Sequence, residues 1–233
     1  MELIVAPIAE LRPQMTRLFE EVVTTSLQRP ASGKSGAGAF SCGLSGGSTA
    51  LIFLGALREA SVDWSHITLY WADERAVAPD HPDSNYGLAE RLLLSPLGGR
   101  APQAIRMPAE LPDLPQAAAQ YDRALPAALD LLILGVGDDG HVCSLFPNHP
   151  VLSVRDTRVA AIEDSPKAPP RRLTLTMPYV VSSRRVWVVA LGARKLPVLQ
   201  QAVSRQTVST PLDMVTAQAK SVTIFTDETL RRR

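Results

Sequence analysis

The sequence predicts an α/β fold, a mostly parallel sheet flanked by helices, and three observations point to it. Leu131 to Gly135 (LLILG) is a continuous apolar run of strand length, hydrophobic on both faces as central parallel strands are. Six or seven strand-like runs alternate with helical patterns along the chain, which is the signature of repeated βαβ units in a Rossmann-like sheet. Glycine-rich or charged segments follow several of these runs, where open α/β sheets bind their ligands. No internal repeat and no long linker demands a second domain. Residues 1–233 are therefore expected to form one domain with a small edge or cap insertion.

Taken in order, Leu3 to Val5 reads as a first strand, stopped by Pro7. From Ala9 to Leu27 the residues Leu11, Met15, Leu18, Phe19, Val22 and Val23 recur at helical spacing, despite Pro13. Arg29 to Gly38 is a Pro/Ser/Gly connector. Its Gly33-Lys34-Ser35 invites a P-loop reading, but that motif needs a glycine at position 28, which is Gln. Phe40 to Leu44 reads as a strand, followed by Ser45-Gly46-Gly47-Ser48-Thr49 and a helix through Leu51, Leu54 and Leu57. Such a turn is either an anion site at a helix N-terminus or a plain turn capped by Ser48 or Thr49.

Ile67 to Ala72 is the next strand, and it ends in Asp73-Glu74-Arg75, which suits a solvated turn as well as a site. Tyr86 to Leu94 looks helical, Leu97 to Leu114 loop-like, and Gln116 to Leu129 an Ala-rich helix broken or bent at Pro126. After the central run, Arg158 to Ile162 and Arg171 to Thr176 read as strands around a loop from Asp164 to Pro170. Arg185 to Leu191 is a strong strand, followed by a helix through Leu196, Leu199 and Val203. Lys195 falls in the first turn of that helix, where a cation opposes the dipole unless an anion binds there. Ser221 to Thr226 closes the pattern, and Arg231 to Arg233 is a basic tail.

Composition excludes more than it identifies. The chain is 45% hydrophobic and 20% charged with a formal net charge of +1, which gives no electrostatic case for nucleic acid or an anionic membrane. Cys42 and Cys143 form neither a disulfide framework nor a metal-ligand spacing. The opening MELIVAPIAELRP lacks the pattern of a signal peptide, and no apolar run approaches the length of a membrane span. A cytoplasmic protein, monomer or small homo-oligomer, is the expectation.

The chemistry concentrates after Leu131–Gly135, in Gly137-Asp138-Asp139-Gly140-His141. Glycines at 135, 137 and 140 permit positive φ and close backbone approach, as a loop around a small ligand requires. His141 exchanges protons near neutral pH, and neighbouring carboxylates fix its tautomer. Asp-Asp-Gly is equally ordinary turn chemistry.

Five segments occur together: LSGGSTA at 44–50, WADERAVAPDHPDSN at 71–85, LGVGDDGHVCSLFP at 134–147, PRRLTLT at 170–176 and LGARK at 191–195. In content and order they resemble the 6-phosphogluconolactonase family. The resemblance implies a modified Rossmann-like fold. The implied activity is metal-independent and cofactor-free hydrolysis of 6-phospho-D-glucono-1,5-lactone to 6-phosphogluconate, in the oxidative pentose phosphate pathway. By position it implies His141 as the general base, Asp139 as its acidic neighbour, and Asp73 and Arg75 on the pocket wall. It further implies Gly46, Gly47 and Ser48 as a phosphate loop, with Arg172 and Lys195 as cationic partners. Arg172 rather than Arg171 is expected to face inward, because strand alternation sends Arg171 to the other face.

Three other readings compete. A glucosamine-6-phosphate deaminase would carry an acid where Phe146 stands, and phenylalanine moves no proton. A serine esterase would use Gly43-Leu44-Ser45-Gly46-Gly47 as a nucleophile elbow, yet Asp139 and His141 are too close in sequence to serve as its separate partners. A non-catalytic sugar-phosphate-binding regulator would keep Lys195 and Arg172 without needing His141, and here both sets are present.

Overall fold

The computed structural model describes residues 1–28, 39–204 and 207–228. The Gly33-Lys34-Ser35 connector and the Arg231–Arg233 tail lie outside the described residues. Ten strands are present among them: β1 (Glu2–Val5), β2 (Phe40–Leu44), β3 (Ile67–Trp71), β4 (Asp73–Arg75), β5 (Gln103–Ile105), β6 (Leu131–Gly135), β7 (Val159–Ile162), β8 (Arg172–Leu175), β9 (Val186–Val189) and β10 (Val222–Thr226). Seven form one sheet in the order β1-β10-β9-β6-β2-β3-β5, all parallel. Leu131 to Leu134 and Val186 to Val189 are buried throughout, as apolar runs covered on both faces by helices must be.

Helices α1 (Ile8–Leu27), α2 (Ala50–Glu59), α3 (Asn85–Ala89), α4 (Ser95–Leu97), α5 (Leu114–Ala124), α6 (Met177–Ser182), α7 (Leu196–Ser204) and α8 (Pro211–Gln218) connect the strands. The buried face of α1 is Leu11, Met15, Phe19, Val22 and Val23, the stripe that its periodicity predicts. From β2 the chain runs outward to β3 and β5, then returns to β6 on the other side of β2. Strand order therefore switches between β2 and β6, and a crevice opens beyond their carboxyl ends.

The expected insertion is a second sheet, β4-β8-β7, which is antiparallel. Strand β8 thus pairs with β7 on one side and with Asp73–Arg75 on the other, outside the parallel array. Asp73-Glu74-Arg75 is a buried strand rather than a solvated turn, because Glu74 has its own donors. Its carboxylate accepts from the backbone N–H groups of Arg75, Asn85 and Tyr86, each at 2.8 Å, and from the Ser84 hydroxyl at 3.1 Å. Ala72 joins the two sheets. Its N–H donates to Leu44 of the large sheet and its carbonyl accepts from Leu175 of the small one, both at 2.8 Å.

Several boundaries differ from the sequence pattern for identifiable reasons. The loop from Leu97 to Leu114 contains the three-residue edge strand β5, too short for alternation to show. Helix α5 ends at Ala124, since Leu125 precedes Pro126 and adopts extended backbone. Helix α3 continues as a π turn over Glu90–Leu94. Helix α8, which no long apolar periodicity marks, starts at a capping box formed by Thr210 and Asp213 around Pro211. Among the described residues no helix is long and apolar enough to cross a membrane.

Candidate active site

The switch-point crevice is a cavity walled by the loops after β2 and β6, by β4 and β8, and by the turn before α7. Ser45 ties the first two walls together, its hydroxyl accepting from Gly135 N–H at 2.7 Å. Gly47 has φ +87°, and a Cβ at Gly46 would sit 1.8 Å from the Asn85 side chain, so both positions require glycine. Thr49 is the N-cap of α2 but makes no side-chain capping bond. Ser45 to Thr49, the turn that leads into α2, line the cavity at the positive end of the helix dipole, where an anion is favoured.

The loop after β6 is a tight turn in which Gly137 N–H donates to the His141 carbonyl at 2.9 Å and Gly140 N–H to the Gly137 carbonyl at 3.0 Å. Of the three glycines here, Gly140 uses positive φ (+79°). Gly137 is glycine for proximity: a Cβ there would lie 1.9 Å from His141 Nδ1. His141 Nδ1 lies 2.5 Å from Asp139 Oδ1. A carboxylate is acceptor only, so the proton sits on Nδ1 and Nε2 carries the free lone pair. Phe146 packs on the imidazole with ring centroids 4.7 Å apart. Burial pushes His141 below the ordinary imidazole value of 6.5, against the opposing pull of Asp139. Burial pushes Asp139 the other way, but its bond to His141 and the charge of Lys167 hold its carboxyl below the usual range.

Asp73 is buried, with the Ser144 hydroxyl donating to Oδ2 at 2.7 Å and the Asn85 amide to Oδ1 at 3.2 Å. The carboxylate on His141 is thus Asp139, and Asp73 organises the wall beside it. Arg75 donates from Nη1 to the Asp83 carbonyl at 2.7 Å, and its buried Nε–H has no hydrogen-bond partner. Arg172 lines the cavity, while Arg171 points away and pairs with Glu163 at 2.6 Å. Most of the Arg172 guanidinium is committed. Nε donates to the Pro169 carbonyl at 2.9 Å, and Nη2 to the Lys167 and Ala168 carbonyls at 2.9 and 3.0 Å. Nη1 reaches Ser144 Oγ at 3.3 Å. Lys195 ends a 3₁₀ turn just ahead of α7 and forms an ion pair with Asp138 at the cavity.

The cavity also takes in residues that sequence reasoning did not single out: Asn85, Asp138, Lys167 and Arg194. Asn85 lies within the 71–85 segment, directly after the α3 N-cap Ser84. Lys167 sits in a Pro-rich loop with no local signal, and only the folding of the small sheet brings it to the crevice.

Fold and cavity together define a Rossmann-like α/β protein whose switch-point crevice is lined by a glycine-rich loop, a histidine and several cationic side chains. The sequence profile described as Glucosamine-6-phosphate isomerases/6-phosphogluconolactonase matches residues 12–224. The chain is 41% identical over 219 residues to a 6-phosphogluconolactonase of Rattus norvegicus, covering 88% of this chain and 85% of the relative. A Homo sapiens 6-phosphogluconolactonase is 41% identical over 220 residues, with the same coverage. A solved structure of a 6-phosphogluconolactonase from Shewanella baltica OS155 matches with a TM-score of 0.84 at 27% identity, covering 97% of each chain. This chain belongs to the glucosamine-6-phosphate isomerase/6-phosphogluconolactonase family.

Proposed function

We propose that this chain hydrolyses 6-phospho-D-glucono-1,5-lactone to 6-phospho-D-gluconate, with His141 as the general base. The observation that carries the mechanism is the His141–Asp139 pair at 2.5 Å, in the same cavity as the amide loop Gly46-Gly47-Ser48. That loop, with Lys195 and the outer N–H of Arg172, holds the phosphate. Gripping a group remote from the reacting carbon orients the lactone and turns binding energy into alignment.

Neutral His141 accepts a proton at Nε2 from a water as the water oxygen bonds to the lactone carbonyl carbon. Asp139 steadies the imidazolium that forms, and Arg75 at the cavity wall, or a backbone N–H of the glycine loop, is the donor for the developing oxyanion. Collapse breaks the bond between the carbonyl carbon and the ring oxygen. His141 returns its proton to that oxygen, and the new carboxyl group loses its own proton to solvent. A lactone is an activated ester, so one base suffices and this reading assigns no metal and no cofactor. A deaminase would need an acid at Phe146, whose ring instead packs on His141.

The test is hydrolysis of freshly generated lactone, corrected for spontaneous opening, by wild type and His141→Ala. The expected outcome is rapid enzyme-dependent hydrolysis that drops about a hundredfold or more in the variant, the scale of lost general-base catalysis. Activity that survives the substitution removes His141 from the role of base. Folded wild-type protein without activity overturns the lactonase reading.

A further inference from the structure

Lys167 has no place in the mechanism above, yet its ammonium lies 3.3 Å from His141 Nδ1 and 3.5 Å from Asp139 Oδ1. It arrives there by construction. Three carbonyls of its loop, at Lys167, Ala168 and Pro169, accept from the Arg172 guanidinium, and the Ser165 hydroxyl donates to the Lys167 carbonyl at 2.9 Å. A buried strand residue of the small sheet thus holds the backbone of a loop whose side chain crosses to the loop after β6 on the large sheet. The chain has twenty arginines and four lysines, and two of those lysines, 167 and 195, line this cavity.

We propose that Lys167 is a positioning residue for the proton transfer, its ammonium sharing the Asp139 oxygen with His141 and thereby keeping the imidazole in its neutral, proton-accepting form. This rests on the reading of His141 as base. Burial already disfavours imidazolium, and Asp139, at 2.5 Å, pulls the other way. An ammonium on the same oxygen offsets that charge and repels a proton on the ring. The other charged groups around His141 are placed differently. Asp73 faces it from β4 with both oxygens occupied by Asn85 and Ser144. Arg172 lies behind the Phe146 ring, 5.7 Å from its centroid. His149 is on the same ring at 6.4 Å and contacts Asp164. Asp138 is paired with Lys195 and Arg194. Among the described residues, Lys167 is the cation in contact with the imidazole.

The experiment measures the His141 imidazole titration by NMR together with the pH dependence of kcat/KM, in wild type, Lys167→Met and Lys167→Arg. Assignment comes from the resonance lost in His141→Gln. Lys167 has a side chain 45% exposed, so its replacement leaves the fold intact. Removing the ammonium should raise the His141 titration by about half a pH unit, the scale of one half-exposed neighbouring charge. The acid limb of kcat/KM should move upward with it. Lys167→Arg should restore both toward the wild-type position. An unmoved His141 titration in Lys167→Met overturns the inference, as does a lower rate whose acid limb stays in place. Absence of lactonase activity in wild type would instead overturn the functional reading, and the titration still reports on Lys167.

Discussion

An alanine at position 137 is the most local perturbation of the proposed chemistry. Its methyl would lie 1.9 Å from His141 Nδ1 and 2.5 Å from Asp139 Oδ1, and the atoms in its way are side-chain ends that can swing aside. The fold should survive, with stability changing by less than about 1 kcal/mol. The imidazole should not keep its position, so kcat should fall at least about tenfold while the thermal midpoint barely moves. Unchanged kcat would show that the His141 orientation is not what the reaction depends on. Position 137 also marks how far sequence reaches at this scale. A glycine cluster beside His141 flags a functional loop, and positive φ is the general reason to expect glycine there. That reason applies at Gly140, whereas at Gly137 the cause is the imidazole folded back over it, a contact with no local sequence signal. Asp139 rather than Asp73 on His141 is likewise a matter of three-dimensional reach.

At the scale of elements, the longer parallel strands and the strands 158–162 and 171–176 were legible, but β5, β4 and the antiparallel pairing of the small sheet were not. Leu131–Gly135 and Arg185–Leu191 declare themselves because continuous apolar runs have few alternatives to a doubly covered strand. Asp73-Glu74-Arg75 carries three charges and suits a solvated turn as well as a site, since the groups that satisfy Glu74 come mostly from the start of α3, ten or more residues later. Replacing Glu74 by Gln tests that account. The amide keeps one acceptor oxygen but turns an NH₂ toward N–H or O–H donors that the carboxylate received on both oxygens. The cost should be about 2–3 kcal/mol, read from the denaturant midpoint at unchanged slope. A loss below about 0.5 kcal/mol, the size of an ordinary surface change, would show that Glu74 is not what holds β4. Helix α8 was legible in principle, because Thr210-Pro-Leu-Asp213 is a capping-box spacing. It matters to the site, since Leu212 N–H donates to the Gly140 carbonyl at 3.0 Å and Thr210 fills the space against Gly140.

For the whole molecule, the cavity has two walls on two sheets. The large sheet brings the amide loop, His141 and Asp139, and the small sheet brings Asp73, Arg75 and Arg172 with the Lys167 loop behind it. The buried peptide at Ala72 belongs to both sheets, hydrogen-bonded to Leu44 through its N–H and to Leu175 through its carbonyl. Breaking either bond alone would strand a buried backbone group, so neither sheet edge is released cheaply. The amide protons of Ala72 and Leu175 should therefore exchange with solvent as slowly as those of β6, through global rather than local opening, as measured by native-state hydrogen exchange. Faster exchange at Leu175 than at Leu132 or Ile133 would mean that the small sheet detaches by itself. If the two walls do open together, a chain in the act of unfolding passes from a complete cavity to none, without an intermediate that keeps the glycine loop and His141 of the large sheet but has lost Asp73, Arg75 and Arg172 of the small one.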